Sequence, residues 1–279
     1  MNTHIVHEGI APTPLRQYLA RAFPAMPGWL LRDTLKKKDV RVNGVRSSGD
    51  AVVRGGDTLT LYVDARFLSA LPDVIYEDGD LLVVDKPAGV PVDSDSRGVG
   101  ADTMLARLRA VCPDARLCHR LDTGTGGVLI AAKTAGAEAR MRSVFETHAL
   151  TKLYQCLVVG EPARDSARLT AWLEKDAGAA RVRVIDQPAP RALPIETRYR
   201  VLNRANGLAR LEVNLITGRT HQIRAHLSHV GLPLLGDDKY GDRAANRRWK
   251  AAQPALWCVR VAFGDHVFES QPRFGDYGV

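Results

Sequence analysis

The segment HRLDTGTGGVLIAAKT, His119 to Thr134, sets Arg120 two residues ahead of Asp122, then a turn rich in glycine and threonine, then an apolar run. An aspartate at the mouth of such a turn has a plain structural reading: its carboxylate caps the turn by bonding the amides of Gly124 and Thr125. It also has a chemical reading, because an ionised and oriented carboxylate is what nucleophilic or proton-abstracting chemistry needs. Two distant residues favour the second. Arg219 in ITGRTHQIRAHL stands at the end of a strand, just before a helix starting near Thr220. From there its guanidinium can reach over a sheet edge and pair with Asp122, fixing the rotamer of an ionised acid. Tyr154 in TKLYQCLVVG offers a flat apolar face with a hydroxyl at its far end. Taken singly these read as a turn cap, a core tyrosine and a surface arginine. Together they point to a reactive site.

Other constellations are weaker. His221, His226 and His229 recur in HQIRAHLSH, but His221 lies well round the helix from the other two, and no His-Glu-x-x-His occurs, so a metal site is not expected. Cys112, Cys118, Cys156 and Cys258 have no Cys-x-x-Cys spacing and read as reduced thiols in a cytoplasmic protein. The GTGG run lacks the following Gly-Lys-Ser or Gly-Lys-Thr of a phosphate loop.

The elements that must position these residues fall into two groups. Residues 13–63 hold a helix over PLRQYLARAF, a second over GWLLRDTLKKKD, an extended VRVNG ending in an Asn-Gly turn, and a strand over GGDTLTLYV. The second helix carries Arg32, Lys36, Lys37 and Lys38, with Arg41 just beyond it and only Asp33 and Asp39 interspersed. Such a run is usually a solvated face; its density here favours a surface that faces phosphates. Residues 64–74 read as a linker, and 75–279 as a larger domain. That domain opens with the strand DLLVVDK, continues with a helix ADTMLARLRAV capped by Asp102, and adds strands at Gly127–Lys133, TKLYQCLVV, RVRVID and IETRYRVL. A last helix shows Ile223, Leu227 and Val230 at helical spacing. This strand-rich order with few helices is α+β.

The 279-residue chain carries 39 Lys and Arg against 31 Asp and Glu, a formal charge of +8 and a pI near 9.5. An excess spread along the chain suits a polyanionic partner, because phosphates reward cations through counterion release. No apolar run approaches the ~20 residues of a membrane helix, and no basic stretch precedes an apolar one at the N-terminus. A soluble cytoplasmic protein is expected.

The segments LLVVDKPAGVPVD, HRLDTGTGGVLIAAKT, TKLYQCLVVG and TGRTHQIRAHLSHVGLPLLGDDKYG resemble, in order, those of the RluA-type family of pseudouridine synthases. Residues 13–63 resemble the small alphaL RNA-binding module. The resemblance implies an α+β catalytic domain with a mixed, mainly antiparallel sheet and an active-site cleft, preceded by a small α/β module. It implies isomerisation of uridines in RNA by base flipping, with Asp122, Tyr154 and Arg219 as catalytic residues. Arg120, which helps displace the target nucleotide, and Ile223, His119 and Leu121 would bind substrate. Arg32, Lys36, Lys37, Lys38 and Arg41 would bind RNA, with ribosomal RNA favoured and transfer RNA the alternative. No metal or organic cofactor is implied, and a monomer is expected. The competing reading is a catalytically silent RNA-binding assembly factor. Where the family commonly has Thr-Ser-Gly after the aspartate this chain has Thr125-Gly126-Gly127, and Trp257 stands where His is usual.

Overall fold

The computed structural model describes residues 2–6, 10–23, 26–63, 67–68, 72–93, 103–147, 149–176 and 181–279. The chain divides into two units: residues 1–73 with 89–113, and residues 74–88 with 114–279. The first differs from the sequence expectation at both ends. It begins earlier, because strand β1 (Asn2–Ile5) pairs within its sheet, and it gathers residues 89–113, which the sequence reading assigned to the larger domain.

After β1 come β2 (Thr13–Pro14), helices α1 (Leu15–Ala22) and α2 (Gly28–Lys37), and strands β3 (Val40–Val42), β4 (Val45–Arg46), β5 (Val52–Val53) and β6 (Thr58–Leu61). The sheet order is β1-β6-β3-β4, with β2 and β5 forming a separate ribbon. Leu15 and Leu19 of α1, Leu35 of α2, Val40, Leu59 and Leu61 share one core. Each such burial contributes roughly 1.5–3 kcal/mol. The Asn-Gly turn joins β3 to β4, and the Asn43 amide braces it, donating to Asp57 and accepting the N–H of Thr58.

The chain then enters the second unit through β7 (Val74–Glu77) and β8 (Leu81–Lys86), and returns to the first for α3 (Met104–Val111). The cap of α3 is Thr103, whose hydroxyl accepts the N–H of Ala106 at 3.1 Å. The expected cap, Asp102, lies outside the described residues, and Thr103 already does that work.

The second unit continues with β9 (Arg116–Leu117), β10 (Gly126–Ala132), α4 (Ala135–Glu146), β11 (Thr151–Val159), β12 (Ser166–Asp176), β13 (Arg181–Ile185), β14 (Leu193–Ala205), β15 (Leu208–Leu215), α5 (Gln222–His229), α6 (Arg243–Arg248), β16 (Leu256–Phe263) and β17 (His266–Glu269). Among the described residues these build a mixed sheet ordered β13-β12-β14-β15-β11-β16-β10-β8-β7, with β17 beside β16 and β9 beside β10. Its pairs are antiparallel except β10 with β16. Strands β8 and β10 are buried at every position, which is why both are written as continuous apolar runs. The outer strands alternate instead: in β14 Ile195, Thr197 and Tyr199 point inward, while Glu196, Arg198 and Arg200 pair with charges outside.

Strands β12, β16 and β17 have no counterpart in the sequence reading. In β12 only Ala171 and Leu173 are buried among charged and polar neighbours, so the period-two signal is diluted. Val230, expected on the core face of the last helix, is exposed just past the end of α5; Ile223 and Leu227 are buried on that face, and Ala225 is buried on another, against Ala171, Leu173 and Ile195.

Candidate active site

Asp122 does not cap its own turn through its side chain. The turn is closed by its backbone carbonyl, which accepts the N–H of Thr125 at 3.0 Å. The carboxylate is therefore free to leave the turn, and its Oδ2 meets Nη1 of Arg224 at 3.1 Å. The expected partner, Arg219, is exposed. Its turn is pinned by the buried Gln222 side chain, whose Oε1 accepts from the Arg219 N–H (3.1 Å) and the Thr217 hydroxyl (2.9 Å). With the helix starting only at Gln222, Arg224 rather than Arg219 points from its first turn toward Asp122.

Arg224 is itself held from behind. Its Nε and Nη2 donate to the two carboxylate oxygens of Asp237 at 2.7 and 2.9 Å, and Asp237 has no exposed side-chain surface. Asp237 also accepts the N–H groups of Lys239 and Tyr240, so a rigid acid fixes one edge of the guanidinium and leaves Nη1 for Asp122. Burial alone would lower the pKa of Arg224; the carboxylates of Asp237 and Asp122 outweigh it and raise the pKa. Burial alone would likewise raise Asp237, yet Arg224 and the two amides hold its carboxyl below the usual range. The Asp122 side chain keeps 23% of its surface exposed, so this acid alone of the pair can be reached from outside.

Tyr154 lies beside it, buried on β11 opposite Cys258. Burial first, then the Cys258 thiol and the Asp122 charge, push the phenol well above its ordinary pKa, so the hydroxyl keeps its proton. Ile223 and Leu121 are buried, and Arg120 is exposed without a bonded partner among the described residues. His119, expected to bind substrate, is engaged within the protein. Its Nε2 accepts the N–H of Ile130 at 3.1 Å and its ring stacks on Phe145, so its polar atoms serve the protein. Burial pushes its pKa down to about 3.

The sequence matches the RNA pseudouridylate synthase family profile over residues 80–229. The chain belongs to that family. It is 32% identical to the ribosomal large subunit pseudouridine synthase C of Vibrio vulnificus over 256 residues, covering 85% of this chain and 79% of that one. It is 32% identical to the ribosomal large subunit pseudouridine synthase D of Yersinia pestis over 244 residues, covering 82% and 73%. The fold is shared with the human RNA pseudouridylate synthase domain containing 1 structure, at a TM-score of 0.62 and 24% identity over 72% of this chain and 83% of that one. The activity is that of an isomerase acting on RNA uridine.

Two further residues of the synthase secure the Asp122 turn. Lys86 is fully buried at the end of β8, and its ammonium donates to the carbonyls of Thr125 (2.7 Å), Pro87 (3.0 Å) and Thr123 (3.1 Å). A buried cation is tolerated when each of its protons finds an acceptor. Gly127 has φ of +108°, and a Cβ there would lie 2.1 Å from the Cys258 carbonyl of β16. Sequence reasoning missed Arg224, Asp237 and Lys86. All three sit inside the segments that carried the resemblance, but nothing in their spacing ranks them above their neighbours.

The imidazoles read as an improbable metal cluster are each engaged elsewhere: His221 Nδ1 with the Tyr240 hydroxyl, His226 Nδ1 with Thr197, and His229 Nε2 with Asp186. In the N-terminal unit Arg32, Lys36 and Lys38 are exposed, Lys37 pairs with Asp33 at 2.7 Å, and Arg41 lies over the Tyr62 ring.

Proposed function

We propose that this synthase converts uridines of large-subunit ribosomal RNA to pseudouridine, with Asp122 as its catalytic carboxylate. The observation that carries the reading is the Asp122–Arg224 ion pair at 3.1 Å beside the protonated, buried Tyr154. The ribosomal substrate rests on the names of relatives matched over most of their length. In the reaction the bond from ribose C1′ to N1 breaks, the uracil turns, and a new bond forms from C1′ to C5. The C5 proton is lost and N1 gains one, so no co-reactant is consumed. Asp122 acts on the ribose or base during detachment, and Arg224 keeps its carboxylate aimed. Tyr154 and Ile223 pack on the flipped base, and the exposed Arg120 fills the stack it leaves. The N-terminal unit, read as an alphaL module, contributes phosphate contacts through Arg32, Lys36, Lys37, Lys38 and Arg41.

Asp122→Asn keeps the shape of the side chain and removes its charge. The variant is expected to lose pseudouridine formation while still binding RNA. Carbodiimide mapping of cellular RNA checks this; the same pseudouridines with mutant and wild type would refute the catalytic role.

A further inference from the structure

The second unit contains one cation whose surroundings Asp122, Tyr154 and Arg224 do not explain. Lys152 stands two residues before Tyr154 on β11, so both side chains leave the same face of the strand. Its Nζ lies 5.7 Å from the centre of the Phe145 ring of α4. It acts electrostatically on Cys258, the residue that contacts the Tyr154 hydroxyl, and on His119. Other buried or half-buried lysines of this unit are bonded: Lys86 to three carbonyls, and Lys133 to the Glu77 carboxylate and the Asp78 carbonyl. Among the described residues, Lys152 has only the aromatic ring. An ammonium partly withdrawn from water and given no acceptor is costly, and burial pulls its pKa below the ordinary value. An apolar side chain would pack against Phe145 at lower cost, so the charge calls for an anion from outside.

We propose that Lys152 binds a backbone phosphodiester of the RNA next to the target nucleotide. The approach is kept open by Gly218, where a Cβ would stand 3.0 Å from Nζ. The adjoining Arg219 is exposed and without a bonded side-chain partner among the described residues. Lysine suits this task as a compact charge with three donors and no acceptor. The Gln222 staple has a second consequence here, since it holds the Gly218–Arg219 turn beside Lys152. The inference rests on the reading of Tyr154 and Asp122 as the site of reaction.

The test uses the full chain and a short RNA containing a mapped target uridine. For Lys152→Met, the slope of log affinity against log salt should flatten by about one. One lost contact of slope 0.7–0.9 corresponds to a roughly five- to eightfold difference in affinity change between 0.1 M and 1 M salt. Lys152→Arg should restore the slope, and kcat at saturating RNA should stay within about twofold. Single methylphosphonate linkages flanking the uridine should weaken wild-type binding at one position, and Lys152→Met should be indifferent to that same position. An unchanged slope, or a loss confined to kcat, overturns the proposal. Should Lys152→Met fail to fold by thermal melting, Lys152→Gln and the linkage scan on wild type decide it; a wild type indifferent to every flanking linkage is again a refutation. Asp122→Asn run alongside separates the two readings, because retained turnover there would defeat the catalytic assignment and leave the salt slopes to judge Lys152.

Discussion

At the residue scale the carboxylate proposed as catalytic is placed through a chain of three side chains. Asp237 grips two nitrogens of Arg224, and the third nitrogen is left to Asp122. Removing one partner of a buried ion pair leaves the other charge uncompensated and costs about 3–5 kcal/mol. Asp237→Asn should therefore lower stability by that order. Because it also frees the guanidinium to turn, kcat should fall by roughly a hundredfold, the scale of a 1 Å misplacement, while RNA affinity is retained. Single-turnover kinetics below the melting temperature check this, and an unchanged kcat would mean that Arg224 keeps its aim unaided. The mistaken choice of Arg219 has a definite cause. Arg219 and Arg224 are five residues apart in one segment, and which of them faces the acid depends on where the helix begins. That start is set by hydrogen bonds from Gln222 to Glu196 and Thr197, residues distant in sequence.

At the element scale, the departures at Gly126 and Trp257 turn out to be one. Gly126 of β10 and Trp257 of β16 are register partners in the only parallel pair among the described strands of the large sheet. A Cβ on Gly126 would meet the Trp257 ring at 2.2 Å. The bulk that Trp257 adds occupies the room that a side chain at position 126 would need. The indole is also anchored, with Nε1 donating to the Ser270 hydroxyl at 2.7 Å and that hydroxyl donating to Asp85 at 2.8 Å. Gly126→Ser alone should destabilise the fold by about 1–3 kcal/mol through overpacking. Combined with Trp257→His it should cost less than the two single changes together, a coupling of about 0.5–3 kcal/mol. Urea denaturation of the four proteins gives the cycle; strict additivity would mean that the two positions do not share the space. The strands themselves were legible where both faces are buried, as in LLVVDK and GGVLIAA. They were not legible where charged outward residues masked a thin buried stripe, as in β12.

At the scale of the whole molecule the net charge of +8 gains a distribution. In the second unit many arginines are matched by acids on the outer face of the sheet, such as Arg168 and Arg198 on Glu196, and Arg200 on Glu212. In the first unit Arg32, Lys36 and Lys38 are exposed without such partners among the described residues, while Lys37 is paired with Asp33. The proposed phosphate contacts of this unit therefore fall on those three first. Replacing all three with Gln should reduce the salt slope of RNA binding by up to about three, with turnover at saturating RNA unchanged. Equal slopes for variant and wild type would remove this surface from the interface.

Composition, motif order and the quoted segments by themselves determined the α+β class and the family, and singled out the aspartate proposed as catalytic, because these depend on residue type and local spacing. Tertiary structure alone decided which arginine holds Asp122, that Asp237 and Lys86 stand behind the site, and that Gly126 and Trp257 form one unit. Each of those facts is a contact between residues far apart in the chain, or hangs on the start of a helix fixed by such contacts. The stretch from His119 to Thr134 carries the acid proposed to react; only the return of α5 and the following turn against it says what keeps that acid in place.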